Sequence, residues 1–184
     1  ARDEGATYIP SFNHPHIMAG QGTVALELLE DVPDMGAVVV PIGGGGLASG
    51  VAVALRALVP RVKLVGVQAE GAASTVASLR AGQVVELPRI STVADGIAVR
   101  QPGDITFPII REMVDDVVTV ADEEILEAMR VLAEECALVA EPAGASGVAA
   151  ILTGRTGRLP EPVVVVITGG NVSPELLGRS LARD

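Results

Sequence analysis

Two glycine-rich segments carry the clearest chemical signal in this sequence. The first is a run of four glycines, residues 43–46, which follows an apolar stretch and precedes a segment of helical period from Leu47. The backbone N–H groups of such a loop and the N-terminus of the following helix can converge on one anion. Side chains there would block a phosphate and disfavour positive φ angles. Because one glycine suffices for a tight turn, four in a row predict a phosphate-binding loop.

The second segment, Thr168–Gly169–Gly170–Asn171, follows an apolar run at residues 163–167. If both apolar runs are parallel strands, both glycine turns lie at the carboxyl edge of one sheet, where ligands bind in open α/β folds. Thr168 offers a neutral hydroxyl for a ring nitrogen, or else serves as a turn residue or helix N-cap, for which Ser173 is the better candidate. Together the two turns predict a ligand with a phosphate at one end and a heteroatom ring at the other.

Short apolar runs alternate along the chain with longer segments of helical period, which is typical of β-α units and a parallel sheet. Strands are predicted over residues 37–42, 63–69, 116–120 and 163–167, and helices over residues 47–59, 72–81, 122–138, 141–152 and from Pro174 onward. We therefore expect residues 1–184 to form a single α/β domain, with a twisted, mostly parallel open sheet and helices on both faces.

Two segments do not follow this alternation. Residues 1–36 are expected to form a lead-in, with a polar loop at residues 11–16 and an amphipathic helix after residues 20–23 that covers one face of the sheet. Residues 87–108 are the longest stretch without a clear period. Loops of that length in compact domains are often functional.

Composition excludes several classes of function. The hydrophobic content of 49% indicates a globular chain, and a net charge of -10 opposes binding to nucleic acid or an anionic membrane. No apolar run approaches the roughly 20 residues of a membrane span. Cys136 is the only cysteine, so no internal disulfide forms. These features predict a soluble, cytoplasmic protein.

Five segments, in order and over nearly the whole chain, resemble one known family. They are His14–Thr23, Pro41–Leu47, Ala94–Val99, Glu141–Ala145 and Thr168–Asn171. The chain resembles the threonine dehydratase and serine racemase group of fold-type-II pyridoxal-phosphate enzymes. The letters AGQGT and GGGGL form the most specific pair.

The resemblance implies the cofactor pyridoxal 5'-phosphate and the residues that bind it: Gly43, Gly44, Gly45, Gly46 and Leu47 for the phosphate, Thr168 for the pyridine nitrogen, and Gly96 and Glu141 beside the cofactor. An alternative role for Glu141 is that of a carboxylate at a helix N-terminus. The implied reaction of the intact enzyme is elimination and deamination of L-threonine or L-serine to a 2-oxo acid and ammonia. Its partners would be a small amino-acid substrate and further copies of itself in a homo-oligomer.

One departure concerns the lysine that such enzymes need for a Schiff base with the cofactor. Lys63 is the only lysine in the chain, and it begins a predicted strand at the wrong edge of the sheet. In the family this lysine lies in an N-terminal region that nothing here matches. We therefore expect the chain to be the C-terminal part of the enzyme, with no catalytic residue of its own and no activity in isolation.

A second departure concerns a cation site that some members carry. Glu70 matches its first carboxylate, but Val76 stands where a second acid is expected, so no bound metal is predicted. His14 and His16 fall short of a metal ligand set and are expected at the surface. The acidic runs at residues 115–116 and 122–124 are expected to be solvated.

Three alternatives stay open. The same family contains serine and threonine racemases. Gly43, Gly45 and Ala48 also satisfy the loose G-x-G-x-x-A fingerprint of NAD-binding Rossmann domains, with Glu70 ending the next strand. A third alternative is a non-catalytic fragment, since a chain without the Schiff-base lysine would be inactive.

Overall fold

Strands and helices alternate along the chain in a computed structural model that describes residues 5–182. The helices are α1 (Pro15–Asp31), α2 (Gly46–Leu58), α3 (Ser74–Ala81), α4 (Thr106–Met113), α5 (Asp122–Cys136), α6 (Pro142–Leu152) and α7 (Pro174–Leu181). The strands are β1 (Ala37–Pro41), β2 (Lys63–Ala69), β3 (Asp116–Val120) and β4 (Val163–Val165), and short 3-10 turns lie at Glu70–Ala72 and Asp95–Ile97. Among these helices none is long and apolar enough to cross a membrane.

The four strands form one parallel sheet in the order β3-β2-β1-β4. In the register of the sheet, Val39 of β1 lies between Val65 of β2 and Val165 of β4. All five residues of β1 are buried, whereas β4 is half-buried. No strand within residues 5–182 pairs with the outer side of β4. The parallel sheet confirms the predicted α/β class.

Helices cover both faces of the sheet, as predicted. Alternate residues of a strand point to opposite faces, so Val39 packs toward α5 and α6 while Val38 and Val40 pack toward α2 and α4. The core is aliphatic, and full burial of one valine side chain stabilises the fold by about 1.5 to 3 kcal/mol. The core thus fixes the strands whose carboxyl ends carry the glycine turns.

Helix α1 differs from its prediction in two respects. It begins at Pro15, so the glycines of AGQGT lie inside the helix and not before it. His14 is the N-cap, and its Nδ1 accepts a hydrogen bond from the His16 N–H (3.1 Å), while Pro15 suits the first helical position. Helix α1 also packs mainly on α2, although its Ala25 belongs to the same apolar cluster as Val38 and Val40 of β1.

The contact between α1 and α2 depends on glycine. A Cβ atom on Gly50 would lie 2.7 Å from the backbone N of Gly22 and closer still to the carbonyl oxygen of Met18. A Cβ on Gly22 would lie 3.0 Å from the carbonyl oxygen of Gly50. The backbones of the two helices therefore touch, which places the start of α1 beside the start of α2.

The acidic runs are not simply solvated, contrary to the prediction. Asp115 Oδ2 accepts hydrogen bonds from Arg56 (2.6 Å) and from the Leu64 N–H (2.7 Å). Asp122 accepts from the Thr92 hydroxyl (2.5 Å) and the Val93 N–H (3.0 Å), and so anchors the long loop between α3 and α4. Periodicity could not reveal these partners, because they lie 29 to 59 residues away.

Candidate functional site

One cavity of about 330 Å³ lies at the carboxyl edge of the sheet. All of the residues predicted to bind a cofactor line it: Gly43, Gly44, Gly45, Gly46, Leu47, Gly96, Glu141 and Thr168. They come together because β1 and β4 are parallel neighbours, so the turns that follow these strands meet at one edge. The rest of the lining is formed by Ser11, Phe12, Pro41, Ile97, Val99 and Ala143.

The glycine loop presents a row of unpaired backbone donors. Within residues 5–182, none of the N–H groups of residues 43–47 donates a hydrogen bond to another residue. Gly44, Gly45 and Gly46 are nevertheless buried. A row of unpaired backbone donors along a cavity favours an anionic ligand there. The N-terminus of α2 adds its positive dipole end to the same site.

Side chains could not replace the hydrogen atoms of these glycines. Gly45 has a φ of 95°, and its Cβ would lie 2.6 Å from Cδ1 of Ile110. A Cβ on Gly46 would lie 2.9 Å from Cα of Phe12, and one on Gly44 would overlap the Phe12 ring. The loop is therefore enclosed between Phe12 and α4, with the cavity in front of it.

Thr168 lines the same cavity as the glycine loop. Its side chain is exposed, and its hydroxyl has no hydrogen-bond partner in the part of the chain that the structure describes. The backbone turn that carries it is fastened to α6: the Glu141 N–H donates to the Gly169 carbonyl (2.9 Å), and Glu141 Oε2 accepts from the Asn171 N–H (3.2 Å). This hydroxyl is thus free to bond a ligand.

Glu141 lines the cavity and lies at the start of α6. It occupies the N-cap position of α6, but its carboxylate makes no capping hydrogen bond to that helix and instead holds the Asn171 N–H. Gly96 lies beside it, where a Cβ would be 2.9 Å from Cβ of Ala143 and 3.3 Å from Glu141 Oε1. Glu141 and Gly96 therefore close one side of the cavity.

Lys63 lies far from this cavity. It begins β2 and pairs in register with Ala37, the first residue of β1, whereas the glycine loop follows the end of β1. Five residues of strand separate the two edges by roughly 13 to 17 Å, beyond the reach of a lysine side chain into the cavity. No lysine lines the cavity.

Two of the acidic residues considered for metal binding form ion pairs with an arginine. Arg155 pairs with Glu70 (3.7 Å) and with Glu124 (2.8 Å). Burial alone would raise the pKa of Glu124, but hydrogen bonds from the Ala121 N–H and Arg155, together with the charge of Arg155, lower that pKa below its ordinary value. Within residues 5–182 no group of three or more histidine, cysteine or acidic side chains is placed to hold a metal ion.

The sequence alone did not single out four residues: Ser11 and Phe12, which line the cavity, and Asn13 and Thr106, which support the glycine loop from behind it. The first three lie in the segment predicted as a polar loop, and Thr106 lies at the end of the loop without period. Phe12 is one of only two phenylalanines in the chain, and an aromatic residue inside a polar segment was the one available signal.

The fold and the cavity define a class of protein: a parallel α/β domain with a glycine loop of unpaired N–H groups at its carboxyl edge. Residues 1–169 match the family of pyridoxal-phosphate dependent enzymes, and the chain belongs to that family. The resemblance noted from the sequence is confirmed, and family membership favours pyridoxal phosphate over the dinucleotide alternative.

Several known proteins of this kind are similar to the chain. An L-threonine ammonia-lyase of Thermotoga maritima is 48% identical over 175 residues, which are 95% of this chain and 43% of that protein. The crystal structure of a threonine deaminase from T.th. superimposes with a TM-score of 0.89 at 41% identity, over 94% of this chain and 64% of the other. The structure of maize serine racemase superimposes with a TM-score of 0.90 at 38% identity, over 98% of this chain and 57% of the other. The chain spans about half the length of the curated relatives it matches.

Proposed function

We propose that the intact protein is a pyridoxal-phosphate-dependent lyase that deaminates L-threonine or L-serine to a 2-oxo acid and ammonia. This chain supplies the residues that bind the phosphate and the pyridine ring. The row of unpaired N–H groups at residues 43–47, facing the same cavity as the Thr168 hydroxyl, is the observation that carries the proposal. The names of the similar proteins, threonine ammonia-lyase and threonine deaminase, support the substrate.

The residues of the cavity fit the cofactor. Residues 43–47 offer amide donors without side chains, as a phosphate dianion requires, and Thr168 offers a neutral hydroxyl to the pyridine nitrogen. When bound, pyridoxal phosphate supplies an electron sink for the negative charge that develops at the substrate α-carbon. A hydroxyl cannot keep the pyridine nitrogen protonated as a carboxylate would, and this moderate activation suits elimination of a β-hydroxyl. Glu141 contributes by fixing the turn that carries Thr168.

The Schiff-base lysine of the intact protein comes, in this proposal, from an N-terminal part that this chain does not contain. Support comes from the position of Lys63 at the opposite sheet edge and from the chain's matching about half of its relatives' length. We further propose that the intact protein is cytoplasmic and that it acts in isoleucine biosynthesis or threonine catabolism. It would assemble as a homo-oligomer.

The direct test is the release of 2-oxobutanoate from L-threonine, measured with the chain alone and with the chain joined to the lysine-bearing N-terminal part of a relative. Activity is expected only in the joined protein. D-Serine formation from L-serine, followed in the same samples, distinguishes a racemase. If the chain alone forms a visible Schiff-base band with pyridoxal phosphate, and that band survives Lys63→Ala, the assignment of the lysine is wrong.

Removal of the Thr168 hydroxyl tests the ring end of the cavity. Thr168→Ala is expected to weaken pyridoxal-phosphate binding by about fivefold to tenfold, the usual effect of losing one neutral hydrogen bond. Thr168→Ser should restore it. Thr23→Ala is the matched control, since it removes an exposed hydroxyl that bonds only the Gly20 carbonyl within α1. Equal cofactor dissociation constants for Thr168→Ala and wild type would exclude a ligand bond at this hydroxyl.

A further inference from the structure

The carbonyl group of Gly44 is held from behind the glycine loop. Its oxygen accepts a hydrogen bond from the Thr106 hydroxyl (2.6 Å) and another from the Gly103 N–H (3.1 Å). Thr106 is fully buried, and 62 residues separate it from Gly44. Both donors lie on the side of the loop that faces α4. A buried side chain thus fixes a backbone group of the candidate phosphate site.

The hydrogen bond from Thr106 to the Gly44 carbonyl determines the direction of the next backbone N–H group, that of Gly45. In a trans peptide the C=O of one residue and the N–H of the next point in opposite directions. The peptide between Gly44 and Gly45 is trans, since the cis peptide of the described chain is at Glu161–Pro162. With the Gly44 oxygen turned toward Thr106, the Gly45 N–H points away from α4, toward the cavity side of the loop.

The opposite orientation of the Gly44–Gly45 peptide would weaken anion binding. Because Gly45 is a glycine with a φ of 95°, the peptide before it can rotate at small steric cost. A rotated peptide would turn a carbonyl oxygen toward the cavity in place of an N–H, and that oxygen would repel a phosphate. The Thr106 hydroxyl opposes the rotation, because rotation would break a short hydrogen bond in a buried environment.

Thr106 is itself held in place from two sides. Asn13 Oδ1 accepts a hydrogen bond from the Ile105 N–H (3.1 Å), and Asn13 Nδ2 donates to Asp104 Oδ1 (2.5 Å). On the other side, the Ser49 hydroxyl of α2 donates to the Thr106 carbonyl (3.2 Å). The start of α4 is thereby tied both to the lead-in segment and to the helix that follows the glycine loop.

We propose that Thr106 is a positioning residue for the cofactor phosphate, which acts by fixing the Gly44–Gly45 peptide with its N–H toward the ligand. The inference rests on the proposed function, because it describes how this loop binds pyridoxal phosphate. Thr106 touches the loop from behind and does not line the cavity. Its effect is therefore on the phosphate and not on the ring.

The experiment compares pyridoxal phosphate with pyridoxal, which lacks the phosphate, in the full-length protein that carries this chain. Thr106→Val should weaken pyridoxal-phosphate binding about tenfold while leaving pyridoxal binding unchanged, which is the effect of about one hydrogen bond on the phosphate alone. Thr106→Ser should restore the wild-type ratio of the two dissociation constants. The phosphorus NMR shift of the bound cofactor should move in Thr106→Val and return in Thr106→Ser.

A matched control is available in Thr75. Its hydroxyl is fully buried and has no hydrogen-bond partner within residues 5–182, so Thr75→Val removes the same atom without breaking a bond. It should leave the ratio of the two dissociation constants unchanged. If Thr106→Val does not fold, Asn13→Ala decides the matter: a reduced preference for the phosphorylated ligand supports the proposal, and an unchanged preference overturns it.

The outcomes separate this inference from the proposed function. A wild-type protein that does not bind pyridoxal phosphate overturns the proposed function and, with it, the role of Thr106. A wild-type protein that binds it, together with a folded Thr106→Val variant of unchanged preference, overturns the role of Thr106 alone.

Discussion

Gly45→Ala is expected to weaken pyridoxal-phosphate binding at least about a hundredfold, a loss of about 2.7 kcal/mol in binding free energy. Two costs combine. A φ of 95° is unfavourable for any residue with a Cβ atom, by about 1 to 2 kcal/mol. The added Cβ would also lie 2.6 Å from Cδ1 of Ile110 and 2.8 Å from the Thr106 hydroxyl, and overpacking of this kind costs about 1 to 3 kcal/mol. The loop must change shape to relieve both, which moves its N–H donors out of position.

Gly82→Ala is the control for this prediction. Gly82 ends α3 with a φ of 70°, and nothing lies within 4 Å of the position of its Cβ. Alanine there carries a similar backbone cost without the contact, so the free energy of unfolding should fall by about 1 to 2 kcal/mol with no change in cofactor affinity. Equilibrium dialysis with pyridoxal phosphate measures both variants. Wild-type affinity in Gly45→Ala would show that the loop does not bind the phosphate.

Gly50→Ala should reduce the free energy of unfolding by about 3 kcal/mol, at the upper end of overpacking effects. The new methyl group would meet backbone atoms: the Gly22 N at 2.7 Å, the carbonyl carbon of Gln21 at 3.1 Å, and the Met18 carbonyl oxygen. Backbone atoms cannot rotate away as a side chain does, so α1 and α2 must separate. Because Phe12 lies just before α1 and covers the glycine loop, cofactor binding should weaken as well.

Gly20→Ala is the matched change on the open side of α1. Nothing lies within 4 Å of its Cβ position, and alanine in a helix interior is favoured over glycine by about 0.5 to 1 kcal/mol. Urea unfolding curves should therefore move in opposite directions for the two variants. A Gly50→Ala protein that unfolds at the same urea concentration as wild type would contradict the close contact of the two helices.

The sheet and both ends of the candidate site could be predicted from sequence because their signals are local. A buried strand needs consecutive apolar residues, and the limits of β2 and β3 were predicted to the residue. The glycine loop is a contiguous motif whose chemistry follows from four adjacent residues. Strand β4 was predicted too long, to residue 167, since a pattern of hydrophobicity does not show where a neighbouring strand stops pairing.

The supports of the site could not be predicted, because they depend on distant contacts. Asn13 meets Ile105 across 92 residues and Thr106 meets Gly44 across 62, and no local pattern encodes either pair. The start of α1 was predicted wrongly for a related reason. Glycines at positions 20 and 22 suggested a loop. In the structure, the missing side chain of Gly22 allows α2 to approach α1 closely, and this contact is visible only in the packed structure.

The unequal burial of β1 and β4 has a kinetic consequence. β1 is a central strand, fully buried, and its amide hydrogens should exchange with solvent only on global unfolding. β4 has three residues, is half-buried and has an open outer side within the described chain, so its amides should exchange through local fraying. The turns that follow the two strands both line one cavity. The glycine-loop end of the cavity is therefore expected to be more rigid than the Thr168 end.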